Sequence, residues 1–163
     1  MRQQDTLKDL SAPDMEHELE HLIGQAILAT PADAILATDR QGTIKFWNAG
    51  AARIFGFSRE ETVGAPLDLI IPERLRKRHW DGWERVMATG ETRYGAGDLL
   101  AVPAVTKDGR QISVEFTIVL LRDTDQRVTG VAAILRDVTA RFEETRRLKR
   151  ELAEHTRPAN AKA

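Results

Sequence analysis

The chain has no cysteine among its 163 residues. That absence excludes disulfides, thiolate metal sites, cysteine nucleophiles and any flavin–cysteinyl adduct. An excess of charge of either sign is also missing. With 24 basic and 25 acidic side chains the net charge is −1, so no global field steers the chain toward nucleic acid or an anionic membrane, and neither is an expected partner. No apolar run approaches the roughly eighteen residues of a membrane-spanning helix, and the N-terminal MRQQDTLKDLSAPD lacks a signal-peptide hydrophobic region. A soluble, cytoplasmic protein is the expectation. What is present is enough apolar residue, 42%, to build a core, at a length that suits one domain with flanking segments.

The stretch over residues 71–89, IPERLRKRHWDGWERVMAT, is the centre of the reading. Leu75, His79, Trp83, Val86 and Met87 recur at helical spacing, so one stripe of an arginine-rich helix is apolar except for one inward-facing imidazole. The neighbouring Arg74, Arg76, Lys77 and Arg78 read as a solvated helix edge. Upstream, residues 1–13 are polar and predict a flexible lead. Residues 14–30 predict an N-terminal docking or dimerisation helix, capped by Asp14, with Met15, Leu19, Leu22, Ile23 and Ala26 on one face. Within it, His17-Glu18-Leu19-Glu20-His21 matches the HExxH zinc-peptidase pattern, which makes a zinc-dependent hydrolase the competing class. Both histidines fall opposite the apolar stripe, however, whereas a zinc-peptidase helix is buried beside a third ligand. A solvated face is the preferred reading, and no catalytic residue is assigned.

Ala34 to Thr38, a turn Asp39-Arg40-Gln41-Gly42, and Thr43 to Trp47 predict a β-hairpin. Asn48 caps a short helix that Gly56 ends; Ser58 with Glu61 forms a capping box for another that ends at Gly64; Pro72 opens the long helix and Gly90 closes it. Three strands follow. The first runs from Leu99 to Val105, with Pro103 marking an edge. The second is the clearest, with Ile112, Val114, Phe116, Ile118 and Leu120 on one face. The third runs from Val128 to Leu135, and a charged helix then extends from Ala140 to about His155. Its basic run, Arg146 to Arg150, is flanked by Glu143, Glu144, Glu151 and Glu154 and reads as solvated helix.

This order of elements resembles the PAS domain. The residues that carry the resemblance are Asp33-Ala34-Ile35, Asp39-Arg40-Gln41-Gly42-Thr43-Ile44, Trp47-Asn48, Ala51-Ala52, Phe55-Gly56-Phe57-Ser58, Glu61, Gly64, Pro72, Lys107-Asp108-Gly109 and Arg136-Asp137-Val138-Thr139. The resemblance implies an α+β fold: a five-stranded antiparallel sheet with helices on one face, a small-molecule cavity between sheet and helix, and dimerisation or helix docking on the other face. The expected domain spans residues 31–138, followed by a C-terminal signalling helix over 139–156 and a disordered tail over 157–163. No kinase, cyclase or helix-turn-helix pattern fits the remaining residues, so the expectation is either an output by contact with a signalling protein through the C-terminal helix or a chain that is a fragment of a larger sensor.

Pro72-Glu73, Arg76, Arg78-His79, Arg85 and Thr89 resemble the helix of FixL-type haem sensors, which implies His79 as axial ligand to a haem b iron. Trp83, Met87, Leu99, Phe116 and Ile118 are the expected pocket wall, and a member of the arginine cluster could pair with a propionate. The arginine that reads bound oxygen in those sensors falls at Leu99 or Leu100 here, so that contact is absent. Two other readings stand beside haem: His79 lines a site for another small ligand, or it is a core residue of an association module. Trp47 is expected on the outer sheet face with Val119 and Leu121, where together with Leu19, Leu22 and Ile23 it would form a homodimer interface.

Overall fold

A computed structural model describes residues 12–92 and 100–155. Five strands form one antiparallel sheet in the order β2-β1-β5-β4-β3: β1 Ala34–Asp39, β2 Ile44–Trp47, β3 Leu100–Val105, β4 Gln111–Arg122 and β5 Val128–Asp137. The helices are α1 Ala12–Leu28, α2 Ala49–Phe55, α3 Arg59–Thr62, α4 Glu73–Thr89 and α5 Thr139–His155, with a 3-10 turn at Leu67–Leu69. The first and last strands lie side by side at the centre, in register from Ala34↔Leu135 to Asp39↔Gly130. This is the α+β arrangement expected from the element order. Among the described residues no helix is long and apolar enough to cross a membrane.

Local chemistry sets most of the boundaries. Asn48 accepts from Ala51 N at the start of α2, and Gly56 closes that helix at φ +80°. Ser58 and Glu61 make the reciprocal capping box of α3, and Gly90 ends α4 at φ +68°. Pro103, which has no N–H to donate, is tolerated because β3 is an edge strand. α1 already includes Ala12, so Asp14 lies inside its first turn, where a carboxylate favours the helix dipole, instead of capping it. Of the expected lead, Ala12 and Pro13 are helical; its other residues, the tail over 157–163 and Leu99 lie outside the described residues.

The inner sheet face follows β4 as its alternation predicts, with Ile112 and Val114 buried and Phe116 and Ile118 packed against the same cluster. Leu36, Ile44, Trp47, Ile54 and Phe55 complete this core. Trp47 corrects an expectation, because it is 1% exposed, stacks at 5.5 Å on Phe55 and donates from Nε1 to Phe57 O at 3.1 Å. The reason is a β-bulge. Leu36 faces Trp47 and Ala37 faces Phe46, but Thr38 faces Ile44, so Lys45 is extra and strict alternation breaks. Ile44 and Trp47 therefore both point inward, and Trp47 is unavailable to an outer-face interface.

Candidate functional site

The helix α4 crosses the inner face and brings an aromatic group to it. The His79 ring lies 4.9 Å from Trp80 and 5.8 Å from Trp83, and the two indoles meet edge-on at 5.7 Å. Trp83 and Ile118 touch both the main core and a second cluster of Met87, Val128 and Val131, so they join the two. The entry to α4 is held by Arg76, which donates to Ile71 O and Asp68 O at 3.2 Å each. The Asp68 carboxylate accepts Trp80 Nε1 at 2.8 Å, and Trp83 Nε1 donates to Arg40 O at 2.9 Å. Arg40 in turn donates to Met87 O at 2.6 Å and to Val128 O at 2.8 Å. The β1–β2 turn is thus fastened to the middle and far end of α4.

His79 is half-buried, and its Nδ1 is fully buried with no hydrogen-bond partner among the described residues. Burial pushes its pKa below the usual histidine value, against a smaller upward pull from the Asp68 carboxylate. At neutral pH the ring is therefore an uncharged imidazole among indoles. Of the expected wall residues, Trp83 lies beside the His79 ring, Met87 packs with Trp83 in the second cluster, and Phe116 and Ile118 pack against the main core. Trp80 was not anticipated, although Trp80 and Trp83 at i, i+3 share a helix face. Arg40 was read only as a turn residue, and nothing signalled its reach to α4 and β5, since those partners are remote in sequence.

Other expected residues lie on the surface. Leu19, Leu22 and Ile23 on α1 are exposed, as are Val119 and Leu121 on the outer sheet face. No described residue covers their apolar stripe. His17 and His21 are likewise exposed on α1; His21 Nε2 meets Gln25 Nε2 at 2.9 Å, and no third group joins them in a metal-sized cluster among the described residues. The start of α5 is tied to the sheet: Thr139 N and Oγ1 donate to Asp137 Oδ1 at 2.9 and 2.5 Å, Ser113 N donates to Thr139 Oγ1 at 2.9 Å, and Arg141 pairs with Glu115. Beyond that turn, Phe142, Leu148 and Leu152 are exposed.

A central β1/β5 pair, an inner face crossed by α4 and helices leaving both ends define a sensory-type α+β module. The family description "PAS fold" matches residues 30–143, and the chain belongs to that family. An uncharacterized protein of Azorhizobium caulinodans is 35% identical over 127 residues, covering 77% of this chain and 17% of that protein. The sensor protein FixL of Bradyrhizobium diazoefficiens is 30% identical over 95 residues, 58% of this chain and 18% of that protein. The chain thus spans less than a fifth of the length of either relative. Among solved structures, the PAS domain of a Colwellia psychrerythraea protein superposes with a TM-score of 0.63 at 23% identity, covering 75% of this chain and 98% of that one.

Proposed function

We propose that this PAS module is non-catalytic, dimerises through α1 and the outer sheet face, and relays the state of its interior to a signalling protein through α5. The observation that carries the reading is the apolar stripe of α1, with Leu19 and Ile23 54% and 49% exposed on the isolated chain. Val119, 60% exposed, and Ile134 extend an apolar surface onto the outer sheet face. A second copy would cover both. Relay through α5 is supported by its first turn, which is bonded to β4 and β5, so a shift of the sheet moves the helix. Analytical ultracentrifugation of wild type, Leu19→Glu and Val119→Glu tests the dimer. Wild type is expected to sediment as a dimer and both variants as monomers; a monomeric wild type overturns the reading.

Haem at His79 is the alternative that the family relatives raise. As packed, the residues do not fit it. A metal-bound histidine is normally oriented through its second ring nitrogen, and no carboxylate or carbonyl among the described residues accepts from the buried Nδ1. Trp80 and Trp83, which flank the imidazole at 4.9 and 5.8 Å, also pack onto the core and would have to move to admit a macrocycle. A small ligand that displaces part of this packing is the reading retained for the interior. Expression with a haem precursor is expected to yield no Soret band. A band present in wild type and lost in His79→Ala would restore haem.

A further inference from the structure

At the far end of α4, outside the interior just described, lies a cleft of about 690 Å³. It is lined by residues 87–90 at the end of α4, by Arg40 of the β1–β2 turn, and by Arg122, Asp123 and residues 126–129 of the β4–β5 connection. Three of its described lining residues are arginines, Arg40, Arg122 and Arg127. Arg40 donates to Val128 O and Met87 O, and Arg122 donates to Gln126 O at 2.8 Å and Gly90 O at 2.7 Å. All four acceptors are neutral carbonyls. A guanidinium has five N–H donors in a planar fork, so Arg40 and Arg122 each retain donors beyond these bonds.

The Arg127 side chain makes no hydrogen bond or ion pair among the described residues, and none of the three arginines pairs with a carboxylate there. Asp123 is the one acid among the described lining residues, and its Oδ1 is engaged by Asp125 N at 3.0 Å and Arg127 N at 2.9 Å. Among the described residues, three arginines and one acid thus line a concave site, on a chain whose net charge is −1. Satisfying the carbonyl end of α4 accounts for Arg40 and Arg122. It does not account for Arg127. Gln126, at φ +63°, is the one non-glycine with positive φ among the described residues; its carbonyl is held by Arg122.

We propose that this cleft binds a small phosphate-bearing ligand through Arg40, Arg122 and Arg127. Planar guanidinium forks match oxyanions in bidentate fashion. A tetrahedral phosphoryl group projects three or four oxygens out of one plane and carries more charge, so it suits three convergent forks better than the two coplanar oxygens of a carboxylate. The occupant bridges the end of α4 and the β4–β5 turn.

The test is an NMR titration of the ¹⁵N-labelled full chain with inorganic pyrophosphate up to about 10 mM, beside succinate at matched ionic strength. Saturable shifts are expected at the amides of Thr89, Gly90, Val128 and Thr129, with binding about tenfold weaker in Arg127→Ala. That variant removes a side chain with no partner among the described residues, so its amide spectrum elsewhere should be unchanged. No saturable shift overturns the proposal, as does binding unaltered in Arg127→Ala. An equal response to succinate overturns the assignment to phosphate.

Discussion

The indole of Trp80 lies directly on Gly42: a Cβ built at Gly42 would sit 2.3 Å from its Cη2 and 2.5 Å from its Cζ3. Gly42 also has φ +79°, in the left-handed region that disfavours a side chain. Two separate constraints therefore meet at one position. Gly109 has nearly the same φ, +80°, with open space around it. Gly42→Ala should cost about 2–4 kcal/mol in urea unfolding, and Gly109→Ala about 1 kcal/mol, because only the first must also displace an indole held by Asp68. Equal losses in the two variants would mean that the Trp80 contact contributes nothing.

His79 makes stability depend on pH. Its folded-state pKa is depressed by burial, so as pH falls below about 6.5 the unfolded chain binds a proton that the folded chain refuses. The wild type should lose stability from that point downward, and His79→Gln should show a flatter profile. Urea midpoints at pH 7.5, 6.5 and 5.5 (values chosen about the ordinary histidine pKa) give the comparison. Parallel profiles for the two proteins would contradict a buried, neutral ring.

Asn48 uses both ends of its amide. Oδ1 accepts from Ile35 N and Ala51 N at 2.8 Å each, and Nδ2 donates to Thr30 O at 2.9 Å and Asp33 O at 3.0 Å. Asn48→Ala strands four backbone groups near the α1–β1 junction and should destabilise by about 2–4 kcal/mol. Asn48→Asp keeps the cap but places a carboxylate oxygen against two carbonyls. It should be no more stable than the alanine variant at pH 7 and should recover as the pH falls toward carboxyl protonation. Thermal unfolding at pH 7 and pH 4.5 would show whether that recovery occurs.

Asp33 and Arg136 join the lead into β1 to the end of β5 by two hydrogen bonds, of 2.8 and 3.0 Å. The bond to Arg136, which outweighs the opposing effect of burial, holds the Asp33 carboxyl below the usual range. A depressed acid stabilises the fold above its unfolded pKa of about 3.9, and that contribution fades as pH falls through the folded value. The stability difference between wild type and Asp33→Asn should therefore be constant near neutrality and shrink below about pH 4. A difference that persists unchanged at pH 3 would remove the ion pair from the account.

Trp47→Glu distinguishes a core residue from an interface residue. Trp47 is enclosed by the main core, so the substitution should unfold the chain at 25 °C (about room temperature, where burying a charge costs most of a domain's stability). Val119→Glu, on an exposed outer-face residue, should leave the circular dichroism spectrum unchanged. A folded, monomeric Trp47→Glu protein would contradict the bulged register of β2.

Much of this molecule was determined by signals that are local in the chain. The alternation of β4, the Asn48 cap, the Ser58/Glu61 box and the glycines closing α2 and α4 each depend on residues within a few positions, where backbone geometry and side-chain reach settle the outcome. The family resemblance rests on the same short motifs. The tertiary structure decided the rest. One extra residue, Lys45, turned Trp47 from the outer face to the core, because a period of two cannot survive a bulge. Arg40 reaches carbonyls 47 and 88 positions away. Its role, the seat of Trp80 on Gly42 and the meeting of three arginines in one cleft follow from chain crossings that pattern and propensity do not encode, since they exist only after the sheet and α4 have packed.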